Sequence, residues 1–218
     1  MPLNEYIIND LNPFEVDAAI SELQEVFNQL TYSHVPIQKD GVFLGSLSET
    51  DIYCFDSDLK INDILYAIEG FFVKSNSTWL NILGEFASND CNIMPVLDEK
   101  NNYLGYYQLV DVISLFNKTP FFSEAGGTII IEKAYNDYSL SEISQIIESN
   151  NIKLLGLFIS SQNNGMTQIT IKIENSGLSA VFEALRRYGY NIISGHEDDE
   201  FLKTLKERSN YLDRYLNL

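Results

Sequence analysis

One segment of the chain occurs twice. Ser33-His34-Val35-Pro36-Ile37, followed by Val42-Phe43-Leu44-Gly45, returns as Asn92-Ile93-Met94-Pro95-Val96, followed by Asn102-Tyr103-Leu104-Gly105. The prolines stand 59 positions apart and the glycines 60, so the second copy carries one extra residue in the intervening turn, where insertions are tolerated. The match continues past each glycine, Ser48-Glu49-Thr50-Asp51-Ile52 corresponding to Gln108-Leu109-Val110-Asp111-Val112. Self-similarity at a fixed interval makes the first half of the chain two copies of one supersecondary unit.

Each copy predicts the same elements. Val16, Ile20, Leu23, Phe27 and Leu30 in the first, and Trp79, Ile82, Leu83 and Phe86 in the second, have helical apolar spacing. The runs that follow are β-rich, and the turns between them, Lys39-Asp40-Gly41 and Asp98 to Asn102, hold residues that tolerate positive φ, as hairpins need. Ser48 stands where an N-cap hydroxyl would open a short helix, with Asp51 at its third position. Each unit therefore reads helix, strand, turn, strand, short helix. Ile61 to Ile68 is expected as a linking helix and Phe71-Phe72-Val73 as a strand opening the second copy, with unit boundaries at residues 1–60 and 61–120.

These residues resemble the cystathionine-β-synthase (CBS) domain family, whose units occur in tandem pairs, or Bateman modules. Its marks are an apolar-Pro-apolar strand and a Gly-x-apolar-Ser/Thr-x-x-Asp segment. The first copy fits through Pro36, Gly45, Leu47, Ser48 and Asp51; the second keeps Pro95, Gly105 and Asp111 but has Tyr107 and Gln108 where the family prefers an aliphatic and a hydroxyl. The resemblance covers about residues 1–118. It implies two units packed about a pseudo-twofold axis, with clefts that in many members hold AMP, ATP or related adenosine compounds; ADP and S-adenosylmethionine belong to the same class. Carried over by position, Asp51 and Asp111 would bind ribose hydroxyls, and Ser48, with Gln108 as its substitute, would face phosphate. Val35-Pro36-Ile37 and Met94-Pro95-Val96 would line the base slots. The same residues have a purely structural reading, Ser48 and Asp51 as helix cap and first-turn carboxylate, Pro36 and Pro95 as strand-edge residues.

Charge bears on that choice. Through residue 120 the cationic side chains are Lys39, Lys60, Lys74, Lys100 and Lys118, so no arginine supplies a bidentate phosphate fork, and His34 is the nearest substitute. A less charged adenosine derivative, or no ligand, is compatible with this. Over the whole chain 14 Lys and Arg stand against 31 Asp and Glu, a formal charge of -17 that repels nucleic acid and anionic membrane surfaces.

The second half predicts a different unit. After a linker around Asn117-Lys118-Thr119-Pro120 and Glu124 to Gly127, Thr128 to Glu132 is a β-branched strand. Ser139-Leu140-Ser141-Glu142 has capping-box spacing ahead of a helix through Ile143, Ile146 and Ile147. Lys153 to Ser160 and Gln168 to Ile173 read as strands joined at Asn163-Asn164-Gly165. Ser176-Gly177 introduces a helix with Leu178, Val181, Phe182 and Leu185, Gly189 stops it, and Asn191-Ile192-Ile193 is a last strand. The order β-α-β-β-α-β over 126–196 is that of a ferredoxin-like unit. Placed after CBS-like repeats it is similar to an ACT-type regulatory domain, which implies amino-acid binding or a pairing role; Asp137 is followed by Tyr138-Ser139 rather than the Pro-Gly usual in that family, which favours pairing. The combined layout is similar to acetoin-utilisation accessory proteins.

The fold class is therefore α/β, a tandem repeat followed by a ferredoxin-like domain, with a terminal helix over 197–218 that aligns Phe201, Leu205, Leu212, Tyr215 and Leu216 on one side. His196-Glu197-Asp198-Asp199-Glu200 reads as a solvated acidic cluster rather than a metal site, and Cys54 and Cys91 as isolated buried thiols. No nucleophile with a base, metal cage or phosphate loop is visible, so the expectation is a non-enzymatic regulator. Its expected partners are a second copy of itself, a small adenosine-type ligand and a regulated target protein. No apolar run reaches the ~20 residues of a membrane span, and Met1 to Glu5 lacks a cationic leader, so a cytoplasmic location is expected.

Overall fold

Each copy of the repeat folds as its pattern predicts, a helix followed by a hairpin and a second helix. The structure, a computed structural model, describes residues 3–174 and 178–194. The chain divides into two compact units after Phe116. In the first unit one copy comprises β1 (Phe14–Glu15), α1 (Ile20–Gln29), β2 (His34–Lys39), β3 (Val42–Ser48) and α2 (Glu49–Ile52). The other comprises β4 (Val73–Lys74), α3 (Trp79–Ser88), β5 (Ile93–Leu97), β6 (Tyr103–Gln108) and α4 (Leu109–Asn117). Each forms a three-stranded sheet, β1-β2-β3 and β4-β5-β6, with a short parallel outer pair and an antiparallel hairpin.

Turn chemistry sets both hairpins. Asp40 and Gly41, at φ 51 and 76, make the two-residue turn whose twist suits a hairpin. In the second copy the Asp98 carboxylate accepts from the backbone N–H of Lys100 and of Asn102, with Asn101 between them at φ 68. The hairpins also share an irregularity: Ile37 pairs Gly45 and Gln38 pairs Phe43, while Val96 pairs Gly105 and Leu97 pairs Tyr103, so Leu44 and Leu104 are the extra residues of equivalent bulges.

The glycines beside these bulges are required by a close backbone approach. Gly45 has φ +148 and a Cβ on it would lie 2.4 Å from the Glu69 carbonyl oxygen; Gly105 has φ +141 and would meet the Ile8 carbonyl oxygen at 2.2 Å. The next residue in each strand pairs with the approaching segment through two backbone hydrogen bonds, Ser46 with Glu69 (both 2.8 Å) and Tyr106 with Ile8 (both 2.9 Å). The lead-in segments are thus exchanged. The stretch preceding the first copy closes on the second, where Leu3, Tyr6 and Ile7 join its core, and Ile61, Ile64 and Ile68 of the stretch preceding the second join the core of the first.

That exchange explains where the unit departs from expectation. Ile61 to Ile68 forms two 3-10 turns, Ile61–Asp63 and Leu65–Ala67, instead of a helix. The Asp63 carboxylate closes the first turn on the Lys60 N–H at 3.1 Å, and Ile68 and Glu69 run extended to reach Ser46. The second copy opens with Val73–Lys74 alone, Phe71 being a buried residue ahead of the strand. Val16 precedes α1 and is buried, while Leu30 follows it and is exposed. Pro36 and Pro95 are in central strands rather than at edges. They tolerate that position because each faces Ser46 or Tyr106, whose own N–H and C=O point away to Glu69 or Ile8, so no ladder bond is forfeited toward the partner. Cys91 is buried as expected, but Cys54, two residues beyond the four-residue α2, is exposed with its thiol donating to the Thr50 carbonyl.

The second unit holds α5 (Pro120–Ser123), β7 (Gly126–Ala134), α6 (Leu140–Ser149), β8 (Leu154–Asn163), β9 (Met166–Glu174), α7 (Leu178–Arg187) and β10 (Asn191–Ser194). Its sheet order, β10-β7-β9-β8 with every neighbour antiparallel, is the ferredoxin-like arrangement. Burial alternates along β9, with Ile169, Ile171 and Ile173 meeting Ile143, Ile147, Val181, Phe182 and Leu185 of the helices. Gly189, at φ +79, ends α7 with bonds from its N–H to Arg186 and from the Tyr190 N–H to Leu185, a Schellman cap.

The predicted capping box of α6 is half formed. Ser139 Oγ accepts from the Glu142 N–H at 3.3 Å, but the Ser139 N–H goes to Tyr190 Oη, which donates to Glu142 Oε1 at 2.8 Å. Lys133 Nζ completes the cluster, 3.3 Å from Glu142 and 4.1 Å from the centre of the Tyr190 ring. On the face of the sheet away from the helices, Phe121 of α5 occupies the notch left by Gly156 and lies beside Phe158. The helix expected to begin at Ser176-Gly177 is described from Leu178; the acidic cluster His196 to Glu200 and the terminal helix of 197–218 lie outside the described residues.

Candidate functional site

The two copies meet at Ser33 and Asn92, which occupy equivalent positions just ahead of β2 and β5. The Ser33 N–H donates to Asn92 Oδ1 at 2.8 Å, and the Asn92 N–H donates to Ser33 Oγ at 2.9 Å. Behind this reciprocal pair the carbonyl of Ser33 accepts from Glu49 at 2.8 Å and that of Asn92 from Leu109 at 2.9 Å, again equivalent residues. A local pseudo-twofold therefore passes between Ser33 and Asn92, and on either side of it lies a cavity.

The cavities correspond wall by wall. One, of about 330 Å³, is lined by Asn92, Ile93, Gln108, Leu109, Val110 and Ile113 of the second copy, with Thr31 and Tyr32 entering from the first. The other, of about 300 Å³, is lined by Ser33, His34, Ser48, Glu49 and Thr50 of the first copy, with Glu69, Asn89 and Asp90 entering from the segments around the second. The repeat offset maps Ser33 onto Asn92, His34 onto Ile93, and Ser48-Glu49-Thr50 onto Gln108-Leu109-Val110.

Their chemistry has diverged. The first-copy cavity carries Glu49, Glu69 and Asp90 and no lysine or arginine. His34, 4 % exposed, is held between Ser33 Oγ (2.9 Å) and Glu69 Oε1 (3.3 Å) and meets the Phe71 ring edge-on. Burial lowers its pKa below the usual 6.5, outweighing the opposing attraction of Glu69, so the neutral ring is favoured and the cavity is net negative. A phosphate would meet carboxylates there. The second-copy cavity has no charged residue in its lining: its walls are aliphatic and aromatic, with polar atoms supplied by Thr31, Tyr32, Asn92 and Gln108. Asn92 is already engaged, its side chain accepting from Ser33 and donating to the Thr31 carbonyl at 2.7 Å.

Of the residues singled out in the sequence, His34 and Ser48 line the acidic cavity and Gln108 the uncharged one. Ser48 Oγ also caps α2, accepting from the Asp51 N–H at 3.1 Å. Val35, Pro36 and Ile37 in β2, and Met94, Pro95 and Val96 in β5, are buried in the cores beneath the cavities, since these strands are central in their sheets. Asp51 and Asp111 are half-buried at the third helical positions and stand outside both linings. Thr31 and Tyr32 were not indicated by the motif, because each cavity borrows residues across the pseudo-twofold and only one wall is written in the local sequence. Val110 and Ile113 could have been found from the offset, as the apolar counterparts of Thr50 and Tyr53. Among the described residues no group of His, Cys, Asp and Glu could hold a metal ion, and no helix is long and apolar enough to cross a membrane.

No family profile matches the chain, and no curated protein matches it. Solved structures do. A CBS domain pair/ACT domain protein from Thermotoga maritima matches with 20% identity and a TM-score of 0.48 over 53% of this chain and 96% of that one. The CBS domains of a transcriptional regulator from Streptococcus pneumoniae match with 14% identity and a TM-score of 0.47, over 52% and 98%. The CBS domain of a bacterial CNNM/CorC family Mg2+ transporter in complex with ATP matches with 19% identity and a TM-score of 0.43, over 52% and 85%. Each likeness spans about half of this chain, and what the cavities can hold follows from their own residues.

Proposed function

We propose that residues 3–116 are a CBS-type pair that acts without catalysis, sensing a small organic ligand in the uncharged cavity beside Tyr32 and passing its occupancy to a regulated target protein. The observation that carries this reading is the divergence of two equivalent cavities. One is acidic and closed to anions; the other keeps apolar walls and a few convergent polar atoms, the usual make-up of a small-molecule site. Neither lining has a cation, so within the adenosine class the neutral or weakly charged end of the molecule is the better fit, and AMP, ADP and ATP should bind less well than the nucleoside or S-adenosylmethionine. The ferredoxin-like unit is proposed to be ACT-like and to serve pairing, in a layout proposed to resemble that of acetoin-utilisation accessory proteins, and the protein is proposed to be cytoplasmic.

Calorimetry on the full chain with adenosine, S-adenosylmethionine, AMP, ADP and ATP tests the site. Val110 is 65 % exposed, so Val110→Asp should leave the fold intact and abolish binding, while Thr50→Asp at the equivalent place in the acidic cavity should not. Absence of binding by every compound, or binding that survives Val110→Asp, rejects the proposal. A second reading, a ligand-free dimerisation or scaffold protein, is favoured by Phe158 and Phe122, left 49 % and 55 % exposed in the ferredoxin-like unit. It requires a homodimer in light scattering that Phe158→Asp dissociates.

A further inference from the structure

At the inner wall of the uncharged cavity begins a chain of hydroxyls whose direction is fixed from its far end. Tyr106, fully buried, donates its hydroxyl proton to Asp10 Oδ1 at 2.7 Å. A carboxylate only accepts, so that proton is committed outward, and burial, with hydrogen bonds to Tyr32 and Asp10, holds the Tyr106 hydroxyl well above its ordinary pKa. Tyr106 Oη is therefore the acceptor in its 2.6 Å contact with Tyr32 Oη, and Tyr32 spends its own proton on Tyr106. Behind Tyr32, the Gln108 amide N–H points at the same oxygen from 3.5 Å, a loose contact. The chain runs Gln108 to Tyr32 to Tyr106 to Asp10, and the ring of Tyr32 is set edge-on against Tyr106 with centroids 5.5 Å apart.

Tyr32 lines the cavity, and its oxygen carries a weakly used lone pair and no proton to give. We infer that this cavity selects flat, uncharged heterocycles that present an N–H donor, such as a ring amino group, with Tyr32 Oη as the specificity-determining acceptor. This rests on the cavity being the ligand site proposed above and adds which chemistry it prefers. A donor-bearing ring replaces the loose Gln108 contact with a short one; a ring of the same shape lacking the donor leaves the oxygen underused.

Adenosine and purine riboside differ only in the ring amino group and serve as probes in calorimetry on the full chain. The wild type is expected to bind adenosine about tenfold more tightly, the effect of one hydrogen bond. Tyr32→Phe keeps the ring and should bring the two affinities together. Asp10→Asn, at an exposed residue outside the cavity lining, can turn its amide N–H2 toward Tyr106 and let the chain run either way, so it too should bring the ratio toward one, an effect no structural role for Asp10 would produce. Equal affinities in the wild type, or a preference that persists in both variants, overturn donor selection while leaving the site standing. Failure of both probes to bind the wild type overturns the selection, and the site falls with it when S-adenosylmethionine and the adenine nucleotides fail as well.

Discussion

Alanine at Gly105 should unfasten the N-terminal segment from the second repeat. The added Cβ would sit 2.2 Å from the Ile8 carbonyl oxygen and 2.8 Å from Ile7 Cγ2, on a backbone at φ +141 that side chains avoid. Relief requires residues 7–8 to lift away, which surrenders the two Ile8–Tyr106 backbone hydrogen bonds and loosens Leu3 and Ile7 in the core. At about 1 kcal/mol net per hydrogen bond and about 1–3 kcal/mol for the backbone strain, the expected loss is about 3–5 kcal/mol. Gly45→Ala, meeting Glu69 in the same way, should cost a similar amount. Gly84 supplies the internal control. It is exposed within α3, with nothing near its absent Cβ, so Gly84→Ala should stabilise by about 0.5–1 kcal/mol. Trp79, the single tryptophan, lies in α3, and its fluorescence in urea follows this unit. A Gly105→Ala midpoint indistinguishable from wild type, or a Gly84→Ala loss as large as that of Gly105→Ala, would refute the close-approach argument.

Three further outcomes are expected. Tyr107 is fully buried with a hydroxyl that finds no partner among the described residues, so Tyr107→Phe should be neutral or stabilising by about 1 kcal/mol in urea, whereas Tyr106→Phe, which loses two hydroxyl contacts, should destabilise by about 1–2 kcal/mol. Burial lowers the His34 pKa against the pull of Glu69, Asp51 and Asp90; the unfolded chain then binds the proton more readily, so stability is full above pH 6.5 and falls as pH drops below it. His34→Gln should flatten that fall in urea titrations between about pH 7.5 and 5.5. Finally, a thiol reagent should modify one cysteine in the native protein, Cys54, since burial raises the Cys91 thiol to about 12; mass mapping of two labelled sites would contradict this.

Much of the fold could be read directly because its signals are local. Asp40-Gly41 and Asn164-Gly165 carry the positive φ values that two-residue hairpin turns demand, and Ser48 caps the helix that its spacing announces. The β-α-β-β-α-β order of the second unit appeared as alternating periods, and its sheet order follows from that connectivity. What escaped was non-local. Apolar residues at 61, 64 and 68 suit a helix and a pair of 3-10 turns equally, and only the pairing of Glu69 with Ser46 decides between them. Glu142 stood at the right spacing for a capping box, yet Tyr190, 48 residues later, claims its carboxylate. The cavities suffered in the same way: the motif marks the strand beneath each, while Tyr32 and Thr31 reach one of them only once the two copies are set face to face.

The exchanged lead-in segments make each repeat a lid for the other. A tether attached ahead of Leu3 would transmit its load first through Leu3, Tyr6 and Ile7 into the core of the later repeat, and then through Ile8, whose backbone is bonded to β6 while its side chain packs on the core of the earlier one. Severing the chain near residue 60 would leave two fragments, each holding the other's closing edge.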